Sequence, residues 1–259
     1  MTIIAILLLA AGLDLLLRAE RPLALAGVRR DMTRLRLAAL AYGRSAPVSS
    51  IYLIVLLVTT LVLQTSTAGT ANSLLGELST NLHHLARDPV RVLVTSAFWV
   101  SSAWQILFVA PMLLLVVAPL ERRIGGSKTI AVLVLGHVGA TLVTAVGLWV
   151  GVRTGVVDPS IADVQDVGPS YALFAAAACL GFVLEQRLRL PYFAALIGYA
   201  VWNVVASTTF TDFGHLLSIG FGLACYPLLR SAHPQLPPVG KRLAELAPSR
   251  LHTRRSLLS

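Results

Sequence analysis

Apolar residues along this chain gather into long continuous runs that short polar segments separate. Six such runs follow residue 46, at about 48–64, 92–120, 129–152, 169–184, 192–210 and 213–229. A helix needs about 20 apolar residues to cross a bilayer, and most of these runs have that order of length. Asp and Glu are absent from the middle of every run. The pattern predicts an all-α polytopic membrane protein, a bundle of six transmembrane helices.

The exceptions to this pattern lie in the second run and at the two ends of the chain. Run 92–120 is too long for one perpendicular span, so we expect a stretch in the outer leaflet before the helix proper. Residues 1–17 are apolar but short and interrupted by Asp14, which favours an interfacial helix, with an extra span as the alternative. We therefore divide the chain into an N-terminal interfacial helix and basic segment (1–46), a six-span membrane domain (47–230) and a basic tail (231–259).

Composition and charge support a membrane location and predict an orientation. The chain is 56% hydrophobic and only 13% charged, whereas soluble domains are nearer a quarter charged. If the N-terminus is cytoplasmic, all of the 21 Arg and Lys residues fall on the cytoplasmic side except Arg87, Arg91 and Arg153. This distribution follows the positive-inside rule, so the net charge of +9 does not indicate a nucleic-acid partner. We predict an integral protein of a bacterial plasma membrane, with both termini cytoplasmic.

Ser170 is the first candidate for chemistry, at the predicted outer end of the fourth span. It follows Gly168 and Pro169, and proline suits the first turn of a helix because its missing N–H has no partner there. The backbone N–H of Ser170 is then free, which is what an oxyanion hole requires. A serine that only hydrogen-bonds within the turn would give the same sequence.

His215 lies just inside the predicted outer end of the sixth span, at the depth of Ser170. Ionisable residues within spans are costly and usually functional, so this histidine is a candidate general base for the serine. Ser218 and Gly222 follow on the same span in a small-xxx-small pattern that permits close helix approach. The alanine-rich fourth span, Ala175 to Ala178, is the expected partner. A structural histidine bonded to a carbonyl is the alternative.

Other polar residues point to structure rather than chemistry. His83 and His84 lack ligands at metal spacing, so neither a metal nor a cofactor is predicted, and Cys179 and Cys225 imply no disulfide framework or zinc site. We expect His137 to bond a neighbouring helix and Asn203 to join two helices. We interpret Glu121, with Arg122 and Arg123, as a structural ion cluster. The absence of a mid-span carboxylate argues against an ion-coupled transporter.

Over residues 48–230 the sequence resembles the rhomboid family of intramembrane serine proteases. LVTSAFWVSSAWQILFVAPMLLLVVAPLERRIGG is similar to the second rhomboid helix and its preceding loop, ending in the Leu-Glu…Gly signature at Leu120, Glu121 and Gly125. GPSYALF is similar to the GxSG segment, and GHLLSIGFG is similar to the segment of the catalytic histidine. STNLHHLARDPVRVLVTS, FTDFGH and LACYPL most resemble the divergent rhomboid-like proteins of GC-rich bacteria.

The resemblance implies a role for each site residue. Ser170 would be the nucleophile and His215 the base of a dyad that needs no acidic third member, with Phe174 stacked on the histidine. Gln105 and the Ser170 N–H would hold the oxyanion, and Gly168 and Tyr171 would support the site. Arg87 to Ser102, partly in the membrane, would shield it.

Three departures from the family pattern leave two functions open. Gln105 and Val109 stand where active members carry a His and an Asn, Tyr171 stands where the family prefers glycine, and Pro169 stiffens the turn before the serine. The first hypothesis is a protease that cleaves single-span membrane substrates near the outer face. The alternative is an inert pseudoprotease that binds or guides client membrane helices. Both have a transmembrane protein and the lipid bilayer as partners.

Overall fold

The computed structural model of the protein describes residues 36–231, apart from residues 38 and 208. Within this range all regular secondary structure is helical and no strand is present, which confirms the predicted all-α class. The apolar segment 1–17, most of the basic segment that follows it and the tail after residue 231 lie outside the described residues. The predicted boundaries of the three regions therefore stay predictions.

Residues 39–45 are helical, and nine further helices carry the rest of the described chain. They are α1 (Pro47–Thr65), α2 (Ala68–Glu77), α3 (Leu82–Arg87), α4 (Pro89–Thr95), α5 (Ala103–Ile124), α6 (Gly126–Arg153), α7 (Ser170–Gly181), α8 (Gln186–Ser207) and α9 (Phe210–Ala224). Short 3₁₀ turns follow at Ser96–Phe98, Pro159–Asp163 and Tyr226–Ser231. Each of the six predicted apolar runs corresponds to one main helix. In chain order these helices are α1, α5, α6, α7, α8 and α9.

Four described helices, α1, α5, α6 and α8, are long and apolar enough to cross a membrane. The fourth and sixth predicted runs form shorter helices, because α7 has 12 residues and α9 has 15. The count of six spans is consistent with this architecture and stays a prediction. The polar segment between the first two apolar runs, residues 65–91, is largely helical: the side chains of Thr67 and Asn81 each accept a backbone N–H at the start of a helix.

The second apolar run is divided, as its length predicted. Helix α4 and the following 3₁₀ turn end at Phe98, and α5 begins at Ala103 after a short irregular segment. Two side chains of α1 hold the carbonyl groups at this break. The Tyr52 hydroxyl donates to Ala97 O at 2.8 Å, and Thr59 Oγ1 donates to Phe98 O at 2.7 Å. These bonds place the stretch before α5 against α1.

Helix α7 is the centre of the bundle. Every residue from Tyr171 to Gly181 is buried, as expected of a helix that is apolar on all sides. Helices α6 and α9 flank it closely, and parts of α5 and α8 complete its surroundings. Four consecutive alanines make this possible, because they allow neighbouring backbones to approach on more than one side.

Large apolar side chains cover the outside of the bundle. On α1, Ile51, Ile54 and Val58 are more than half exposed, and Trp202 and Val205 of α8 are 70% exposed. A soluble protein rarely leaves so much contiguous apolar surface in water. These faces suit the hydrocarbon region of a bilayer.

Glu121 corrects one expectation from the sequence. Its carboxylate is buried and accepts hydrogen bonds from the backbone N–H groups of Val48 and Ser49, each at 2.9 Å, and from the Ser49 hydroxyl at 2.7 Å. Arg122 instead contacts Tyr42, and Arg123 donates to Val183 O. The prediction that Glu121 forms an ion cluster with Arg122 and Arg123 is wrong. Glu121 caps α1, where free N–H groups and the helix dipole favour an anion.

We expect Glu121→Gln to destabilise the bundle by about 1.5–3 kcal/mol, because an amide replaces a charged acceptor and leaves a buried donor unsatisfied. Thermal unfolding in detergent measures the effect as a midpoint several degrees lower. Glu185→Gln is the matched control, since its carboxylate forms an exposed ion pair with Arg187 that is worth at most about 1 kcal/mol. Equal midpoints for the two variants would contradict the capping role.

Candidate functional site

The turn before Ser170 is fixed by a contact with a distant segment. Gly168 has φ +137°, a conformation that favours glycine. Its N–H donates to Ser96 O at 3.0 Å. Pro169 is the N-cap, and Ser170 is the first helical residue of α7. Ser170 therefore begins a helix, as the sequence predicted, with its backbone N–H in the free first turn.

Ser96 joins this turn to the third long helix, α6. Its hydroxyl is buried and lies 3.1 Å from Nε2 of His137, which is 5% exposed. The prediction that His137 bonds a neighbouring segment is confirmed. One residue, Ser96, thus binds His137 through its side chain and the Gly168 turn through its carbonyl. The position of Ser170 depends on α6 through this connection.

His215 lies on α9 against the first turns of α7. Its ring centroid is 4.6 Å from that of Phe174, with 38° between the planes, and 5.4 Å from that of Tyr171, in an edge-on arrangement. Phe174 also stacks on Tyr199 of α8 at 6.1 Å. The fold therefore brings the histidine to the residues directly after Ser170.

The approach of α9 to α7 is as close as backbones permit. A Cβ added at Gly222 would lie 2.2 Å from Ala175 O, and one added at Gly136 of α6 would lie 2.2 Å from Ala175 Cβ. Ser218 is fully buried on the same side of α9. The predicted small-residue contact between the fourth and sixth runs is confirmed.

The hydroxyl of Ser170 and the imidazole of His215 form no hydrogen bond. Nε2 of His215 is buried without a partner among the described residues. Nδ1 lies 3.8 Å from Oδ1 of Asp212, one helical turn earlier. In an enzyme without bound substrate, the nucleophile and its base are often further apart than hydrogen-bond distance. The missing bond between Ser170 and His215 is therefore compatible with proton transfer.

Tyr171 fills the space between α7 and α9. A Cβ added at Gly214 would lie 2.4 Å from the Tyr171 ring. The hydroxyl of Tyr171 donates to Oδ2 of Asp166 at 3.3 Å. The ring is accommodated at Gly214, and the hydroxyl binds the loop.

The sequence did not predict Asp166 as a residue of the site. Its carbonyl accepts from the N–H of Thr80 at 2.9 Å, and its own N–H donates to Ser79 Oγ at 2.8 Å. Burial raises the pKa of its carboxyl to about 6, against opposing hydrogen bonds from Tyr171 and Thr80. The sequence around Asp166 could not indicate these contacts, because Thr80 and Ser79 lie 86 and 87 residues away along the chain.

Gln105, the candidate oxyanion side chain, lies at the start of α5. Oε1 of Gln105 accepts the backbone N–H of Ser101 at 2.8 Å, and the residue is exposed. Its side-chain amide N–H groups bind no described residue. Val109, one turn later, is 3% exposed and packed in the core, so it offers no donor. No hydrogen bond joins Gln105 to Ser170 or His215.

Two other polar residues have local partners. Nδ1 of His83 lies 2.6 Å from Oδ1 of Asp163 on the exposed surface, and the described His, Cys, Asp and Glu residues form no group of three that could hold a metal. Asn203 donates to Tyr199 O of its own helix and is half-buried. The prediction that Asn203 joins two helices is wrong, because the amide satisfies a carbonyl one turn earlier.

Comparison with known proteins places these features in a family. A family model described as rhomboid-like protein matches residues 41–235, about three quarters of the chain. No curated protein and no solved structure matches the chain.

We expect Gly222→Ala to separate α9 from α7, because the added methyl group would overlap the Ala175 carbonyl. Overpacking of this kind costs about 1–3 kcal/mol, more than alanine gains over glycine in helix propensity. Gly220→Ala is the control on the same helix, since nothing lies within 4 Å of its added Cβ. The thermal midpoint in detergent should fall for Gly222→Ala alone; an equal fall in both variants would contradict the close contact.

Proposed function

This chain belongs to the rhomboid-like protein family, and from that premise we propose that it is an intramembrane serine protease with Ser170 as nucleophile and His215 as base. Its apolar helices and its family make it an integral membrane protein. The proposed substrate is a single-span membrane protein, cut near the outer face where its helix unwinds. The proposed orientation has both termini in the cytoplasm.

One observation carries this proposal. His215 is packed against Phe174, one turn after Ser170, and its Nε2 is buried with no partner among the described residues. A buried nitrogen without a hydrogen bond costs free energy, typically about 1–3 kcal/mol, and therefore needs a reason. A base that receives a proton during the reaction supplies one.

The chemistry uses groups of this chain alone. Ser170 Oγ attacks the substrate carbonyl while Nε2 of His215 takes its proton, and the same nitrogen returns that proton to the leaving amine. The Ser170 N–H in the free first turn of α7 and the side-chain amide of Gln105 would bind the oxyanion. Water then hydrolyses the acyl-enzyme and restores the serine.

The second candidate function is a non-catalytic protein that binds client membrane helices. It is favoured by the missing hydrogen bond between Ser170 and His215 and by Val109, which cannot donate where active relatives carry an amide. In that case Tyr171 and Phe174 would hold His215 only as a packing residue.

We expect a fluorophosphonate probe to label the purified protein at Ser170. Ser170→Ala should abolish labelling because the nucleophile is gone, and His215→Ala should reduce it to near background because the hydroxyl loses its base. In-gel fluorescence measures the rate. Ser160→Ala, in the exposed loop before α7, is the serine control and should label like the parent protein.

The two functions predict different results in this experiment. Labelling that depends on both Ser170 and His215 supports the protease. A folded protein that is not labelled, and whose Ser170→Ala variant retains the same co-purifying membrane proteins as the parent, supports the client-binding function.

Gln105→Ala should lower the labelling rate by about 10²–10³-fold if its amide is an oxyanion donor. Thermal stability should change little, because the side chain is exposed and its bond to Ser101 lies at the surface. Gln165→Ala, which removes an exposed glutamine from the loop before α7, is the control. A rate unchanged in Gln105→Ala would assign the oxyanion to other donors.

A further inference from the structure

Asp212 is the carboxylate closest to the candidate base. It precedes His215 by three residues on α9, so both side chains lie on one face of the helix. Oδ1 of Asp212 is 3.8 Å from Nδ1 of His215, and the two side chains are only 13% and 19% exposed. At this distance the two groups interact electrostatically without a direct hydrogen bond.

The orientation of the Asp212 carboxylate is fixed from its other side. The hydroxyl groups of Ser207 and Thr209 both donate to Oδ2. Thr209 in turn accepts the N–H of Asp212 and caps α9. These contacts are the ones expected of any acidic residue in the first turn of a helix. They use one carboxylate oxygen and leave Oδ1 facing His215.

A second acidic residue near the site has other partners. The carboxylate of Asp166 accepts from the hydroxyl groups of Tyr171 and Thr80, at 3.3 and 3.4 Å. The Tyr171 ring packs edge-on against the imidazole of His215, with 5.4 Å between the ring centroids. The acidic group that faces the imidazole is therefore Asp212.

We propose that Asp212 positions His215, holding the imidazole with its proton on Nδ1 so that Nε2 carries the lone pair. The carboxylate would then be a third member that the rhomboid dyad ordinarily does not need. A serine protease triad uses this arrangement: the carboxylate orients the histidine and stays ionised throughout. The catalytic consequence rests on the proposed protease function, whereas the tautomer itself does not.

The proton balance follows from that tautomer. Nε2 accepts the proton of Ser170 Oγ as the Oγ–C bond forms, which makes His215 an imidazolium beside the Asp212 anion. When the peptide C–N bond breaks, the proton leaves Nε2 for the amine, and His215 returns to its neutral Nδ1–H form. Asp212 neither gains nor loses a proton. With the proton on Nε2 instead, the histidine could not begin this sequence.

Nitrogen NMR of the full chain in nanodiscs, with ¹⁵N-labelled histidine, tests the tautomer directly. Six histidines give signals, and His215→Gln identifies the relevant pair. We expect a protonated Nδ1 and an unprotonated Nε2 in the parent protein. Asp212→Asn, which keeps the size of the side chain at the helix cap, should move the proton to Nε2. Asp212→Glu should restore the parent pattern at least in part.

Asp166→Asn is the matched control, because it removes a nearby carboxylate that does not face His215. It should leave the tautomer unchanged. The proposal is overturned if Asp212→Asn keeps the proton on Nδ1, or if Asp166→Asn moves it as Asp212→Asn does. In the first case Asp212 is only a helix cap, and in the second the effect is a general one of charge.

Fluorophosphonate labelling of the same samples separates this proposal from the protease function. The Asn substitution of a triad aspartate lowers the rate by up to about 10⁴-fold, so labelling of folded Asp212→Asn should fall strongly. A parent protein that is not labelled, yet whose tautomer depends on Asp212, would refute the protease and support the positioning role. A labelling rate unaffected by Asp212→Asn would overturn the positioning role in catalysis.

Discussion

The bundle depends on the absence of side chains around Ala175. Gly136 of α6 and Gly222 of α9 meet this one residue, and a methyl group on either would overlap it. Lipid tails are as apolar as the helices, so burial of apolar surface does not hold helices together in a bilayer, and close van der Waals packing must do so. Three helices that converge on one alanine provide that packing.

This contact also sets the candidate site. His215 lies seven residues before Gly222, two turns along the same face of α9, and Tyr171 lies four residues before Ala175 on α7. The backbone contact therefore brings the histidine against Tyr171 and Phe174, because both helices are rigid over this length. The loop before α7 is held independently by Ser96 and Asp166. Two separate constraints thus meet at Ser170, one from the helices and one from the loops.

The sequence predicted what depends on local pattern. Run lengths indicated the helices and the break in the second run, and Gly168 and Pro169 indicated where α7 begins. The spacing of Ser218 and Gly222 indicated the face of α9 that approaches α7 closely. Partners of polar groups were less accessible. Glu121 was assigned to the wrong contact, because an acceptor near a helix end can bind any free N–H that the fold brings to it. Asn203 was assigned to the wrong contact, because its amide can donate to a carbonyl of its own helix. Asp212 has a visible i, i+3 relation to His215, and this spacing could have identified it.

Tyr171 shows how a departure from a family pattern can be absorbed. A glycine after the serine lets two helices meet, so a tyrosine there should separate α7 from α9. Here Gly214 of α9, which has no side chain, provides the space for the tyrosine. The Tyr171 ring lies edge-on to the imidazole of His215. The hydroxyl binds Asp166 in the loop before α7. Since Gly214 directly precedes His215, the same packing that accommodates the tyrosine restricts the imidazole. The substitution therefore changes how the histidine is held rather than whether the two helices can meet.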